Sequence, residues 1–322
     1  MKGWKAGLFL VVICLIAGLV GCGGSAKAPD YISQAQQHFE KDDYTSAVAD
    51  CSKALENDSK NILAYGIRAR SYYRMQKYSQ ALEDCNWAIA LDAKAKGGVW
   101  SPYWVRANVY RDQGQNEKAI ADFTKVIELE PNFANAYDYR GSIYETIGQH
   151  DKALADVNQA IKLNPQDGLY YTDLSWIDSD IGQDEKCIAD ATKAISLDPG
   201  IARAYNNRGL AYSNIGQLDK ALVDLNKAIE LDSNDTLGYN NRAWVYFLSG
   251  KYAQGLPDAD KAISLDSNNA AAYDTRGNIY LKLGHKDKAI ADFKKAVELD
   301  PANQQSSIDC LVKLGVPGYK AK

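Results

Sequence analysis

A pattern of 34 residues recurs eight times between residues 28 and 303 of this 322-residue chain, and it constrains the fold more than any other feature. A tyrosine and an aspartate mark every copy, and both series step by 34 residues, except for one step of 38 between the second and third copies. A fixed period of this length is typical of a solenoid, in which each unit buries its apolar face only against its neighbours. The tyrosines are Tyr31, Tyr65, Tyr103, Tyr137, Tyr171, Tyr205, Tyr239 and Tyr273, and the aspartates are Asp50, Asp84, Asp122, Asp156, Asp190, Asp224, Asp258 and Asp292.

Each copy is predicted to be a helix–turn–helix unit. Positions 4, 8 and 11 of the copy carry Tyr, a small residue and usually Tyr, a spacing that places them on one face of a first helix. Positions 20, 24 and 27 have the same spacing on a second helix, and a glycine at position 15 of six copies suits the left-handed turn between them. The copies are 28–61, 62–95, 100–133, 134–167, 168–201, 202–235, 236–269 and 270–303, with an insertion at 96–99.

This pattern resembles the tetratricopeptide repeat, and the resemblance covers residues 28–303. It implies an all-α solenoid of eight repeats that forms a right-handed superhelix, with the first helices lining a concave groove and the second helices outside. Members of that family mostly bind other proteins and have no catalysis of their own. Residues 304–322 are expected to form a capping helix, from Gln304 to Gly315, and a short tail, because a solenoid must cover its last apolar face.

The first 21 residues are predicted to be a bacterial lipoprotein signal peptide. Lys2 and Lys5 precede an apolar core of 15 residues, 6–20, which is short for a membrane span of about 20 residues. The sequence Leu-Val-Gly-Cys at 19–22 resembles the lipobox, which would make Cys22 the acylated first residue of the mature chain. An uncleaved anchor helix and an ordinary secretory signal remain alternatives.

Residues 22–29 would then be the acylated cysteine and a short flexible tether, which places the first repeat close to the bilayer. The expected location is the bacterial cell membrane, facing outward from the cytoplasm. Gly23 stands where an Asp would resemble an inner-membrane retention signal, so a source with two membranes favours the periplasmic face of the outer membrane.

The charge of the mature chain excludes two classes of partner. Without Lys2 and Lys5 it has 35 basic and 41 acidic residues, a net charge of −6. A net negative protein is a poor ligand for nucleic acid or for anionic lipid, so acyl chains on Cys22 would have to hold it at the bilayer.

Four cysteines of the mature chain are predicted to remain free thiols. Cys51 and Cys85 share position 24 of their copies, Cys187 is at position 20, and Cys310 lies in the predicted end helix. Equivalent positions of neighbouring copies should be about 9–10 Å apart, which is too far for a disulfide.

A ladder of charged residues is predicted along the solenoid, with Arg at position 7 in six copies and Asp at position 23. Gln34 replaces Arg in the first copy, which favours pairing each Asp with the Arg of the next copy, as in Asp50–Arg68 and Asp224–Arg242. Leu174 would then leave Asp156 without a partner. Capture of ligand carboxylates by the arginines is the alternative interpretation. The ladder residues are Arg68, Arg106, Arg140, Arg208, Arg242 and Arg276 with Asp50, Asp84, Asp122, Asp190, Asp224 and Asp258.

The resemblance places positions 2, 5, 6, 9, 12 and 13 of each copy on the groove. Large aromatic residues and Arg on such a surface are typical binding anchors, although the tryptophans could instead pack against neighbouring helices. Asn at position 6 is similar to the asparagines with which some family members hold a peptide backbone. The predicted partner-binding residues are Arg70, Tyr73, Arg74, Trp104, Asn108, Arg111, Tyr139, Trp176, Asn207, Asn241, Trp244 and Phe247; Asp138, Glu145 and Asp180 make the middle acidic, and Asn206 and Asn240 lie beyond it.

Three irregularities interrupt the pattern. The insertion at 96–99 should loosen its joint or form a loop, and Pro257 should make the second helix of the seventh copy start late or kink. The fifth copy carries Leu174, Asp178 and Cys187 where the others have Arg, Tyr and Ala, which indicates either drift or a hinge or partner contact.

These observations favour a scaffold that binds a partner protein or an extended peptide. Binding of glycan, such as peptidoglycan, is the alternative, because Trp and Asn in a groove also suit sugars. The chain is not expected to be an enzyme, since it lacks the spacing of zinc-protease, serine-hydrolase, dithiol and phosphate-loop motifs, and no cofactor or metal site is predicted.

Overall fold

The computed structural model describes residues 30–95, 98, 100–302 and 304–320. The predicted signal peptide, Cys22 and the tether to Pro29 lie outside these residues, as do 96, 97 and 99 of the insertion. No helix in the described ranges has both the length and the hydropathy that crossing a membrane requires.

The described residues form an all-α solenoid of seventeen helices without a strand, as predicted. Each copy supplies a first and a second helix that pack antiparallel, and each pair packs on the next. The helices are α1 Tyr31–Glu40, α2 Tyr44–Asn57, α3 Ile62–Arg74, α4 Tyr78–Ala95, α5 Ser101–Asp112, α6 Asn116–Leu129, α7 Ala134–Thr146, α8 His150–Leu163, α9 Gly168–Asp180, α10 Asp184–Leu197, α11 Ala202–Asn214, α12 Leu218–Leu231, α13 Thr236–Leu248, α14 Tyr252–Leu265, α15 Ala270–Lys282, α16 Lys286–Leu299 and α17 Gln305–Lys313.

The turn inside each copy depends on a left-handed residue at position 15. Six glycines there have φ between +69° and +82°, from Gly114 to Gly284, which confirms the predicted turn. The first two copies use Asp42 at φ 59° and Gln76 at φ 58° instead. The two helices then approach closely, since a Cβ added at Gly209 would lie 2.8 Å from Leu225 Cγ.

The arginine ladder forms, but its predicted pairing was wrong. Each Arg pairs with the Asp of its own copy: Arg68 Nε donates to Asp84 Oδ2 over 2.7 Å, and Nη2 donates to Oδ1 over 2.8 Å. Positions 7 and 23 face each other across the helix–turn–helix, so the shortest path stays within the copy. The pairs are Arg68–Asp84, Arg106–Asp122, Arg140–Asp156, Arg208–Asp224, Arg242–Asp258 and Arg276–Asp292.

The same guanidinium also connects neighbouring copies, through its third nitrogen. Nη1 of each Arg donates to the side chain at position 25 of the preceding copy, as from Arg68 to Ser52 Oγ over 3.1 Å. The other acceptors are Asn86, Thr124, Thr192, Asn226 and Asp260, for Arg106, Arg140, Arg208, Arg242 and Arg276 respectively.

Two aspartates of the ladder lack an Arg partner. Asp50 pairs with His38, whose Nδ1 lies 2.8 Å from Oδ2, rather than with Arg68. The prediction that Asp156 lacks an Arg partner was wrong, because Asp156 pairs with Arg140 of the same copy. Asp190 is the aspartate without an Arg partner, since Leu174 stands at position 7 of its own copy.

Asp190 contacts a second carboxyl group, that of Asp178. Burial, the hydrogen bond with Asp178 and the charge of Asp178 raise the pKa of Asp190 to about 7. Two carboxyl groups share a hydrogen bond only when one carries a proton, so this pair replaces an ion pair with a shared proton.

The joint between α8 and α9 consequently lacks the Arg connection. Asn158, at position 25, donates to the carbonyl of Leu154 over 2.7 Å instead. Val157, Leu174 and Ile177 form a buried apolar cluster there. Apolar packing, together with hydrogen bonds from Tyr170 to Asn135 and between Asp138 and Asp173, therefore joins these two copies in place of the Arg connection.

The two remaining irregularities leave the boundaries of α14 unchanged and lengthen α4. Helix α14 starts at position 17 like every other second helix, so the predicted late start was wrong. Pro257 lies inside α14 on its exposed face, where water can satisfy the carbonyl that loses its donor. At the insertion α4 extends to Ala95, and Val105 still packs against Cys85 across the joint.

The cysteines and the C-terminal helix complete the core. Cys51, Cys85 and Cys187 are buried and Cys310 is half-buried, all as free thiols, in agreement with the sequence. Helix α17 covers the last copy, where Leu311 is fully buried against Ala289 and Phe293.

Asp190→Asn and Asp224→Asn change the same repeat position and should have opposite effects on stability at pH 8. With a folded pKa of about 7 and an ordinary unfolded value of about 3.9, Asp190 binds more protons in the folded state. Its contribution to stability is therefore present at acidic pH and is lost as pH rises from about 4 to about 7. An Asn side chain at this position can hydrogen-bond to Asp178 without taking up a proton. We therefore expect Asp190→Asn to raise the melting temperature above that of the unchanged chain at pH 8, and to raise it less at pH 5.

Asp224→Asn is the matched control, because Arg208 would lose its ion-pair partner, at a cost on the order of 3 kcal/mol. Thermal unfolding of both variants at pH 5 and pH 8 makes the comparison. If Asp190→Asn is as destabilising as Asp224→Asn at pH 8, the shared proton is not there.

Candidate functional site

The first helices α7, α9 and α11 and the start of α13 enclose a recess of about 520 Å³, here called the central recess. Its side chains come mainly from the groove positions that sequence analysis singled out. They are Ser142, Glu145 and Thr146 of α7, Asp173, Trp176, Ile177 and Asp180 of α9, Arg203, Asn206 and Asn207 of α11, and Val157, Asp235 and Leu237.

The apolar wall of the central recess is unusually exposed. Trp176 is 40% exposed and Leu237 is 45% exposed, whereas Ile177 below them is buried. Large apolar side chains on a concave surface are typical contact points for a partner.

Charged side chains form the other wall. Asp173 accepts a hydrogen bond from Arg203 Nη2. Behind it lies Asp138, 4% exposed, whose pKa is raised well above its ordinary value by burial and by the neighbouring Asp173. Burial raises the pKa of Asp173 as well, while Arg203 and the hydrogen bond with Asp138 lower it, so the two carboxyl groups form a hydrogen-bonded pair next to Arg203.

Glu145, His150 and Asp180 lie at one end of the central recess. His150 Nδ1 is 2.9 Å from Glu145 Oε2 and 3.9 Å from Asp180 Oδ2. The hydrogen bond with Glu145 raises the pKa of His150, because it favours the imidazolium. The three ligand atoms lie within 4.8 Å of one another, the one grouping of metal-ligand type in the part of the chain that the structure covers.

A second recess of about 390 Å³, the C-terminal recess, lies between α13, α15 and the start of α17. Asn240 is 8% exposed, and its Oδ1 has no hydrogen-bond partner among the residues that are placed. Trp244 stacks on Phe247 with ring centroids 5.0 Å apart. The lining residues are Asn240, Asn241, Trp244, Ala271, Asp274, Thr275, Gln304 and Ser306.

The predicted basic residues at the N-terminal end of the groove lie over aromatic rings. The guanidinium of Arg70 is 4.2 Å from the ring centroid of Phe39, and that of Arg74 is 5.1 Å from Tyr44. Arg111 lies 4.5 Å from the ring of Tyr139. Cation–π contacts within the protein therefore engage all three arginines.

The predicted aromatic and amide residues of this end are engaged too. Trp104 stacks on Tyr139 with ring centroids 5.0 Å apart and contacts Phe123 and Phe133. This tryptophan therefore packs against neighbouring helices, the alternative that the sequence left open. Asn108 is buried and donates to the carbonyl of Trp104. The hydroxyl of Tyr73 donates to Asp112 over 2.8 Å.

The predicted asparagines connect neighbouring first helices. Asn207 is 2% exposed and donates to the carbonyl of Thr172 and to Ser175 Oγ. Asn241 donates to Asn206 Oδ1 over 3.0 Å. Their amide nitrogens are thus already bonded within the groove wall.

Sequence reasoning did not single out Asp173 or Asp235. Asp173 is at groove position 6, so the list of groove positions could have found it. Asp235 ends its copy at position 34 and caps α13 by accepting from Leu237 N; no pattern in the period points to it.

Tetratricopeptide repeat profiles match residues 107–148, 134–167, 202–235, 238–269 and 270–303. No curated protein sequence matches the chain.

Solved structures with similar folds are helical-repeat proteins. A chain of the APC/C hetero-tetramer Cut9–Hcn1 has a TM-score of 0.68 at 17% identity over 88% of this chain, which spans only 55% of the matched chain. A tetratricopeptide repeat protein from Parabacteroides merdae has a TM-score of 0.54 at 21% identity, covering 88% and 96% of the two chains. The pilF protein of Pseudomonas aeruginosa has a TM-score of 0.55 at 16% identity, covering 66% and 96%. At these identities the likeness concerns the fold.

Glu145→Gln should lower the pKa of His150 toward its ordinary value of about 6.5, because the glutamate carboxylate is the main cause of its rise. The stabilising effect of the pair is present below that value and is lost as pH rises through the folded pKa. An NMR titration of the imidazole protons measures it. Asp180→Asn is the control and should change the pKa less, and an unchanged pKa in Glu145→Gln would contradict the assignment.

Proposed function

Since the chain belongs to the tetratricopeptide repeat family, we propose that it is a membrane-anchored scaffold of the bacterial cell envelope that binds a partner protein or peptide in its concave groove. Tetratricopeptide repeat proteins generally mediate protein–protein interactions, and their scaffold is typically non-enzymatic. The proposal adds a location and a binding surface to that general role.

The central recess is the observation that carries the proposal. Trp176 is 40% exposed there, beside Leu237 and above the buried Ile177. Trp104, by contrast, is enclosed by aromatic neighbours at the N-terminal end of the groove. A partner would therefore gain most by covering Trp176.

The membrane anchor is supported by the sequence of the N-terminal segment. The lipobox-like residues at 19–22 end in Cys22, and α1 begins nine residues later, at Tyr31. Acyl chains on Cys22 would place the first repeat close to the bilayer on the outward side of the cell membrane, or on the periplasmic face of an outer membrane.

Glycan binding is a second candidate, favoured by the C-terminal recess. Trp244 lies there beside Asn240, Asn241 and Asp274. An aromatic ring with amide and carboxylate side chains suits the faces and hydroxyl groups of a sugar.

Photocrosslinking in source cells tests the two candidates. A photoreactive residue in place of Trp176 should give a discrete protein adduct, whereas one in place of Lys193, exposed on the outer helix α10, should not. Cell-wall fragments captured by a photoreactive residue in place of Trp244, without any protein adduct at Trp176, would favour the glycan candidate. Equal protein adducts at the Trp176 and Lys193 positions would contradict a groove-specific partner.

Cys22→Ala tests the anchor separately, because the thiol is the predicted acylation site. We expect the variant to lose metabolic labelling by a fatty acid and to leave the membrane fraction. Cys310→Ala is the matched control and should label normally, and labelling that persists in Cys22→Ala would contradict lipidation there.

A further inference from the structure

We propose that the groove between α7 and α15 binds a basic, extended segment of the partner, with a Lys or Arg side chain of that segment in the central recess. The inference rests on the proposed scaffold function and names the chemistry of its ligand. Three independent observations carry it: the charge of the groove, an unpaired acceptor and an exposed aromatic ring.

The groove from α7 to α15 has a surplus of carboxylates. Arg203 is the one arginine or lysine that lines either recess, and Asp173 already pairs with it. Two further cations belong to this surface: His150 at the Glu145 end and Lys282 at groove position 13 of α15. The carboxylates are Glu145, Asp173, Asp180, Asp235 and Asp274. A ligand that brings positive charge would therefore complement the surface.

An unpaired acceptor points to a ligand that donates hydrogen bonds. Asn240 Oδ1 in the C-terminal recess is buried and lacks a donor within the placed part of the chain. Its neighbour Asn241 uses its own Nδ2 to bond Asn206, so it does not supply one. A buried carbonyl oxygen without a donor is costly, and a peptide N–H or an ammonium group from a ligand would satisfy it.

The exposed ring of Trp176 suits a cation. Trp176 shares the central recess with Asp173 and Asp180. An ammonium or guanidinium group over an indole face within about 6 Å is attracted to it, and adjacent carboxylates add charge pairing. The protein makes the same kind of contact at Arg111, which lies 4.5 Å from the ring of Tyr139.

The dimensions of the groove set the spacing of the ligand. Adjacent first helices of a solenoid are about 10 Å apart, and an extended chain advances about 3.3 Å per residue. About three ligand residues therefore correspond to one helix, and the distance from α7 to α15 corresponds to about twelve. An extended segment with a basic residue at every third position matches this spacing.

The probe for the test is a fluorescein-labelled twelve-residue peptide, Lys-Ser-Ser repeated four times. A matched peptide carries acetyl groups on all four lysines. Fluorescence anisotropy with the full chain in detergent, treated with EDTA, measures both affinities. We expect acetylation to weaken binding by about tenfold or more, and added salt to weaken binding of the charged peptide.

Two pairs of substitutions localise the binding. Asp180→Asn with Asp235→Asn removes two groove carboxylates, and an Asn at 235 can still cap α13. Asp219→Asn with Asp287→Asn removes the same charge from exposed positions on the outer helices α12 and α16. The first pair, and Trp176→Ala alone, should weaken binding about tenfold, while the second pair should change it less than about twofold. Equal melting temperatures of the variants exclude misfolding.

Three results would overturn the inference. They are equal binding of the acetylated peptide, equal weakening by both pairs of substitutions, and binding that appears only when Zn²⁺ is added, which would assign the Glu145–His150–Asp180 end to a metal ion. If Trp176 crosslinks a partner in cells but the protein binds the charged and the acetylated peptide equally, the scaffold function is retained and the basic ligand is rejected. If no adduct forms at Trp176, the scaffold function itself falls.

Discussion

The fold depends on the way one guanidinium satisfies three hydrogen bonds at once. In six copies the Arg at position 7 gives two bonds to the Asp of its own copy and a third to the preceding copy. The planar fork of Arg allows this, and the ammonium group of Lys would not reproduce it. A buried ion pair adds little net stability. Its main effect is therefore to fix how the two helices of one copy align with each other and how each copy aligns with the preceding one. The apolar residues can then be small, as the alanines at positions 20 and 27 are.

The one internal break in this arrangement coincides with the most promising part of the groove. Helix α9 lacks the Arg, carries Leu174 in its place, and pairs Asp178 with Asp190 on the side that faces α10. Its groove positions carry Asp173, Trp176 and Asp180. The helix that lacks the Arg connection to the preceding copy therefore also carries an exposed Trp beside two carboxylates on its groove face. A partner seated on α9 would cover that ring.

The period of the sequence was sufficient to predict the helices, their turns and the surface that each position faces. It was not sufficient to predict the ladder partners, because positions 7 and 23 are next to buried positions and could meet within a copy or between copies. The first copy contained evidence for pairing within a copy. Gln34 replaces the Arg at position 7, and in the same helix His38 replaces the Tyr at position 11 and pairs with Asp50. The fifth copy repeats that pattern, since Leu174 and Asp178 change together beside Asp190.

Prediction of the groove from the sequence is limited in a similar way. A repeat position fixes the direction in which a side chain points, but not whether a neighbouring side chain covers it. Trp176 and Trp244 both stand at position 9. Trp244 stacks on Phe247, three residues further along its helix, whereas Ser179 stands at the equivalent place beside Trp176. The exposure of Trp176 thus follows from a serine in its own helix, a difference that is visible in the sequence only once the two copies are compared position by position. Because its own helix supplies no aromatic ring that covers Trp176, a bound ligand is the natural source of one.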